Sequence, residues 1–292
     1  MKNIILSASA IAVLLLASCK KDDSTTPPVT PVVPRTDIHI DSSNATLGKH
    51  IVDKDGKTLY YFSNDANGAS NCTGGCLTAW PVFAADSITT TFGNGLQAAD
   101  FKTIATSTSA RQTTYKGWPL YYYSPGGVLE AAGQTTGEGV GNVWFVAKPN
   151  YSITIANYQL TGFDSKNYLS TYAPGDGRTS YFCDEKGNTL YAFAKDSALI
   201  NKFTKSDFSN NAFWPIYEME NITVPSTLDK SLFAVITFNG RKQLTYNGWP
   251  LYYFGPDKLT RGSNKGITVP ASLPAGAIWP VVNKSAAPAP KP

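Results

Sequence analysis

The sequence predicts an all-β fold of two tandem homologous antiparallel β domains, each made of two hairpin-based repeat units. Three observations carry that prediction. A Leu-Tyr marker recurs at Leu59, Leu120, Leu190 and Leu251, spaced 61, 70 and 61 residues apart. Each is followed 21 to 28 residues later by a Trp marker, at Trp80, Trp144, Trp214 and Trp279. Self-similarity of this kind sets the architecture before any other signal. The composition agrees: Tyr numbers 16 while Met and His number two each, a bias suited to strands with half-exposed aromatic faces. A larger period of 131 residues, from Gly56 to Gly187 and from Gly117 to Gly248, groups the units in pairs. The alternative is a single four-unit propeller-like ring, which contacts between units one and four would reveal.

The first element is an address. Met1-Lys2-Asn3 precedes a mostly apolar run, Ile4 to Leu16. A bilayer span needs about 20 apolar residues, so 1–18 is expected to be a cleaved signal peptide. Leu16-Ala17-Ser18-Cys19 resembles a bacterial lipobox, which implies that Cys19 becomes the first mature residue and carries diacylglycerol, making the lipid bilayer a partner. Several acyl chains hold a protein on a membrane stably. Cys19-Lys20-Lys21-Asp22-Asp23 is similar to the start of surface-exported lipoproteins of some Gram-negative bacteria, implying an outer-membrane lipoprotein displayed on the cell surface. The Pro/Thr-rich stretch completing 19–36 is expected to be an extended spacer of about 3.1 Å per residue.

Repeat domain one is expected over 37–155 and repeat domain two over 156–284, with 285–292 a frayed, disordered tail. Each unit opens as a hairpin. His50 to Asp53 runs through the turn Lys54-Asp-Gly-Lys57 into Thr58 to Phe62. Lys116-Gly117 and Asn247-Gly248 mark tighter turns, since a type I′ hairpin needs positive φ at both central residues. In each Tyr-rich strand, alternation sends Leu59 and Tyr61 to one side and Tyr60 and Phe62 to the other, so both faces are expected to be covered. Pro119 and Pro250 lack an N–H and belong at strand starts or edges. The Trp segments read as further strands. Ala98 to Ile104 and Leu228 to Ala234 are expected to form one or two helical turns, and the segment joining the halves, Phe163 to Leu169, is ambiguous.

Cys72 and Cys76 flank Thr73-Gly74-Gly75, and outside the cytoplasm this short loop is expected to close as a disulfide. Cys183 is left over and is expected to be buried. No metal or cofactor is expected: the only histidines are His39 and His50, and a closed zinc site needs four converging ligands. No Lys/Arg cluster lies beyond the leader, whose removal lowers the formal charge from +4 to +3, so nucleic acid is not an expected partner. Asp65, Asp196 and Asp257 follow Tyr60 and Phe62, Tyr191 and Phe193, and Tyr252 and Phe254. They could contact a ligand or cap loops; capping is favoured, since no dense acidic calcium loop exists. Trp118, Trp249, Tyr61, Tyr122 and Tyr253 could form a stacking platform, with packing the favoured role. No catalytic triad can be assembled around the two histidines.

The residues resemble the bacterial secreted-repeat lipoproteins defined by Tyr-x-(Phe/Trp/Tyr)-x-x-Asp. Tyr60 to Asp65, Tyr191 to Asp196 and Tyr252 to Asp257 fit that motif, and the two cysteines before Trp80 match as well. Unit two departs, with Ser-Pro-Gly126 after Tyr121-Tyr-Tyr123, and unit three lacks the cysteine pair. The resemblance spans nearly all of 45–284 and implies export and a repeated β fold. It implies no catalytic residue, because the family's function is unknown. The expected role is a non-catalytic binding or scaffold module for a glycan or envelope protein. The alternatives are a redox or electron-transfer accessory using Cys72 and Cys76 and, last, a hydrolase.

Overall fold

The computed structural model describes residues 37–85, 90–107 and 111–292, which fall within one compact unit. The expected leader, Cys19 and the whole spacer lie outside the described residues. In the first half, β1 (Ile38–Asp41) pairs with β2 (His50–Asp53). A five-stranded sheet follows, built from β3 (Tyr60–Phe62), β4 (Phe101–Ile104), β5 (Gln112–Tyr115), β6 (Trp118–Tyr121) and β7 (Trp144–Val146), in the order β4-β5-β6-β3-β7. In the second half, β8 (Thr154–Thr161) lies between β9 (Asn167–Tyr168) and β10 (Arg178–Cys183). A four-stranded sheet contains β11 (Tyr191–Ala192), β12 (Phe233–Phe238), β13 (Arg241–Tyr246) and β14 (Trp249–Tyr252), ordered β11-β14-β13-β12. All pairings between these strands are antiparallel. The sheets stay open, so the ring alternative gives way to two tandem regions.

The tight turns take the backbone their residues favour. Lys116 and Gly117 have φ of 48° and 83°, and Asn247 and Gly248 have 47° and 86°, as a two-residue type I′ loop requires. Pro119 and Pro250 sit second in β6 and β14, opposite Thr114 and Thr245.

Pairing is exchanged between the units of each half. The Trp segment of unit two, β7, pairs with Tyr60 to Phe62 of unit one. The Trp segment of unit one returns the pairing through Val82 and Tyr121. In the second half, Val281 bridges Tyr191 and Ile216 bridges Tyr252. A unit therefore completes its sheet only with its neighbour, which is the physical reason the units come in pairs. Of the four expected Trp strands, only β7 forms a ladder; the others make isolated bridges.

Both faces of the Tyr-rich strands are covered. Tyr60 and Phe62 join a core with Trp80, Tyr121 and Trp144, while Leu59 packs with Ile38, Ile51 and Leu120. Tyr61, Ala66, Trp118 and Phe145 belong to a third core that otherwise consists of residues from 151 onward. Tyr61 Oη accepts the Ile155 N–H at 3.2 Å, and β8 runs across the expected boundary at 155/156. The two halves thus share buried surface.

Three local expectations change. Ala98–Asp100 and Lys230–Leu232 are single 3₁₀ turns, and the chain after each becomes strand, as β4 and β12. Phe, Val, Ile and Thr there favour a pleated surface over a helix. Asp229 does cap its turn, accepting the Ser231 N–H at 2.9 Å. The Pro-rich end, expected to fray, is tied to the second half: Ala289 N–H donates to Asn247 O, and Ala198 N–H to Pro290 O. It also accepts the Trp249 Nε1–H at Ala287 O, 2.7 Å away.

Candidate functional site

The motif residues converge on two equivalent buried centres, one per half. Alternation along β3, β6, β11 and β14 turns the first Tyr of each motif inward, where its hydroxyl meets a carboxylate from the other unit. Tyr121 Oη donates to Asp65 Oδ2 at 2.7 Å. Tyr252 Oη donates to Asp196 Oδ2 at 2.7 Å, and Tyr191 Oη to Asp257 Oδ2 at 2.6 Å. Unit two has no motif Asp, and Glu130 takes that place, accepting from Tyr60 Oη at 2.5 Å. Each half therefore holds two Tyr–carboxylate bonds running in opposite senses.

The other carboxylate oxygen closes a loop. Asp65 Oδ1 accepts the Asn71 N–H at 2.7 Å and Asp196 Oδ1 the Lys202 N–H at 2.7 Å. Asp257 Oδ1 accepts from Ser263 Oγ at 2.6 Å and the Lys265 N–H at 3.1 Å. Glu130 Oε2 accepts the Thr136 N–H and hydroxyl. Each of the three aspartates thus bonds a loop donor, with a Tyr bond added that the spacing did not disclose. Burial pushes the Asp65 carboxyl up to about 7 and Asp196 up to about 6, against the hydrogen bonds that favour ionisation. Burial raises Asp257 as well. Charge-assisted bonds of this type are roughly twice as strong as neutral ones.

Beside these bonds stands a ring stack. Trp80 and Trp144 lie 3.8 Å apart at 3°, and Trp214 and Trp279 lie 3.6 Å apart at 8°. The second motif aromatics cover the Trp of the partner unit: Phe62 on Trp144, Tyr123 on Trp80, Phe193 on Trp279 and Phe254 on Trp214. Space is so tight that a Cβ on Gly266 would lie 2.7 Å from Trp214 and one on Gly137 2.9 Å from Trp80.

The proposed platform residues face inward too. Trp118 is buried, donating to Glu185 O at 3.2 Å, with the Arg261 guanidinium 4.2 Å from its ring centroid. Trp249 is half-buried beneath the C-terminal segment. Tyr122 and Tyr253 donate to Asp53 and Asp184, the acids that organise the equivalent turns after β2 and β10. Tyr61 and Trp118 are buried, while Tyr122, Trp249 and Tyr253 are only partly covered, Trp249 lining a cavity with Tyr172 and Pro280.

Arg261 was not expected. It donates to Lys116 O at 3.1 Å, to Lys186 O at 2.5 Å and to Asp65 O at 3.4 Å, so that one guanidinium touches units one, two and three from unit four. Burial lowers its pKa to about 10, opposed by the nearby Asp184 and Asp65 carboxylates. Nothing in its sequence neighbourhood marks it. Glu130 had a faint signal, the motif in unit two that lacks an acid.

Cys72 and Cys76 form a disulfide at the start of α1 (Cys76–Ala79), beside Trp80. Cys183 is a buried free thiol whose pKa burial raises. His50 is buried in β2, with Nδ1 3.1 Å from Gly48 O. Among the described residues, no three His, Cys, Asp or Glu side chains gather as a metal site, and no helix is long and apolar enough to cross a membrane.

These reciprocal locks can be set against known proteins. A lipoprotein family model, described as a secreted repeat of unknown function, matches part of the chain. The matched residues are 42–84, 102–148 and 234–267. They take in units one and two and the first part of unit four, whereas unit three, which lacks the cysteine pair, lies outside. No curated protein and no solved structure matches the chain.

Proposed function

We propose that the protein is a membrane-anchored, surface-displayed lipoprotein serving as a non-catalytic binding or scaffold module for an envelope component. The observation that carries this reading is the reciprocal Tyr–carboxylate lock. Asp65, Asp196 and Asp257 spend their oxygens on Tyr hydroxyls and loop donors, and the Trp rings spend their faces on each other. The motif's chemistry is thus invested in holding loops in place, which suits a rigid frame presenting a surface. The Tyr-x-(Phe/Trp/Tyr)-x-x-Asp pattern is, on this reading, the signature of that frame. Anchoring rests on the lipobox resemblance at Cys19 and on the partial match to a secreted lipoprotein repeat.

The test is an array of envelope glycans and lipids probed with the full chain in detergent micelles. Saturable binding without chemical change to the ligand is expected. Turnover of a ligand, or thiol–disulfide cycling at Cys72 and Cys76 as the measurable activity, would overturn the reading. Radiolabelled palmitate should enter the wild type and not Cys19→Ala.

A further inference from the structure

A cavity of 330 Å³ opens where residues 46–49 and 148–150 of the first half meet residues 222–230 of the second. Lys49, Lys148 and Lys230 line it, and no carboxylate does. Lys49 and Lys230 are exposed and enter no ion pair among the described residues. Lys148 is different: its side chain is buried, at 8 % exposure. Its Nζ donates to Leu47 O at 2.6 Å and lies 5.5 Å from the Tyr151 ring centroid. An ammonium carries three donors, so among the described residues two of them have no acceptor.

Buried ammonium groups are costly unless paired. Burial lowers the Lys148 pKa, and the Lys230 charge acts in the same direction. Glu138 opposes that shift, but its oxygens already accept from the Val146 N–H and from the Ser226 N–H and hydroxyl. Asp229, beside Lys230 in the chain, is occupied by Ser231. The cavity therefore concentrates positive charge and spare donors. Its wall also offers Ser226 and the Asn150–Thr223 pair, bonded at 3.3 Å, next to Leu47 and Ile222. Hydroxyl and amide groups beside aliphatic surface suit a small polyhydroxylated body. The volume is at the lower end of that of ligand pockets, about 300–1,000 Å³.

We propose that this cavity binds the oxyanion of an acidic sugar, with the phosphate or carboxylate held by Lys148 Nζ and flanked by Lys49 and Lys230. The proposal rests on the binding-module reading and gives its ligand a chemical class. The source of the charge separates in the probes: glucose 6-phosphate, glucuronate, inorganic phosphate and neutral glucose, each titrated calorimetrically into the full chain in detergent micelles.

Glucose 6-phosphate or glucuronate should bind at least tenfold more tightly than glucose, and more weakly as salt screens the lysines. Inorganic phosphate alone should bind more weakly than the sugar phosphate. Lys148→Met, which keeps the apolar stem, should weaken binding at least tenfold. Should that variant not fold, Lys49→Gln/Lys230→Gln changes only exposed side chains and should still weaken binding several-fold. Equal binding of glucose and glucuronate overturns the proposal, as does wild-type affinity in the folded variants, or no binding of either acidic sugar at millimolar concentration. An array ligand indifferent to the lysine changes removes this cavity assignment while leaving the binding-module reading intact. Turnover of a bound sugar removes that reading instead.

Discussion

Replacing Tyr252 with Phe removes a single hydroxyl from the lock of the second half. Tyr252 is fully buried and donates to Asp196 Oδ2 at 2.7 Å, and Asp196 is itself only 1 % exposed. The Phe ring would keep the edge contact with Trp279, 5.3 Å between centroids, so the change isolates the hydrogen bond. A bond to a charged acceptor contributes about 1.5–3 kcal/mol and a neutral one about 1 kcal/mol. Burial holds the Asp196 pKa at about 6, so the carboxyl is mostly protonated at pH 5 and ionised at pH 8. The loss should therefore be about 1 kcal/mol at pH 5 and about 2–3 kcal/mol at pH 8. Urea unfolding followed by Trp fluorescence at both pH values measures it. A double-mutant cycle with Asp196→Asn should give a coupling of about 1.5 kcal/mol at pH 8. Equal losses at the two pH values, or a coupling below about 0.5 kcal/mol, would refute the lock as a source of stability.

Other outcomes follow from the same arrangement. The Asp65, Asp196 and Asp257 carboxyls titrate above their ordinary value of 3.8. Between about pH 4 and 7 the folded chain then holds more protons than the unfolded one, and stability should fall as pH rises through that window. A melting temperature that climbs from pH 4 to 7 would contradict this; Asp41, held low by the Ser43 backbone N–H, acts in the opposite sense only below that window. Glu130→Ala strands Tyr60 Oη and the Thr136 donors and should cost about 2–3 kcal/mol in urea unfolding, whereas a loss below about 0.5 kcal/mol would mean that Glu130 does not stand in for the missing Asp. Reducing the Cys72–Cys76 disulfide should lower stability by about 2 kcal/mol, from the closure entropy of so short a ring, and unchanged melting under reductant would count against that.

The legible part of this fold was periodic. Leu59, Leu120, Leu190 and Leu251 announce the units because β alternation repeats with the chain, and Asn247-Gly248 announces its turn because few residues accept that backbone. Pairing across units is not periodic. Nothing local tells Trp144 to stand against Phe62, or Glu130 to replace an Asp, since those partners are set by three-dimensional closure. The helical turns expected at 98–104 and 228–234 failed after one turn because β-branched and aromatic side chains found strand partners in β5 and β13. The composition of the docked C-terminal segment predicts only a frayed tail. Its prolines say little about whether Asn247 and Trp249 offer it hydrogen bonds.

Arg261 gives the duplication a history that cannot easily run backwards. A repeat that splits cleanly could be trimmed to one copy, but here a guanidinium supplied late in the chain fills backbone acceptors near residues 65, 116 and 186. Tyr61, Trp118 and Phe145 lean on side chains from the far copy in the same way. Once such shared contacts accumulate, losing either copy uncovers the other, so descendants are held to the doubled length.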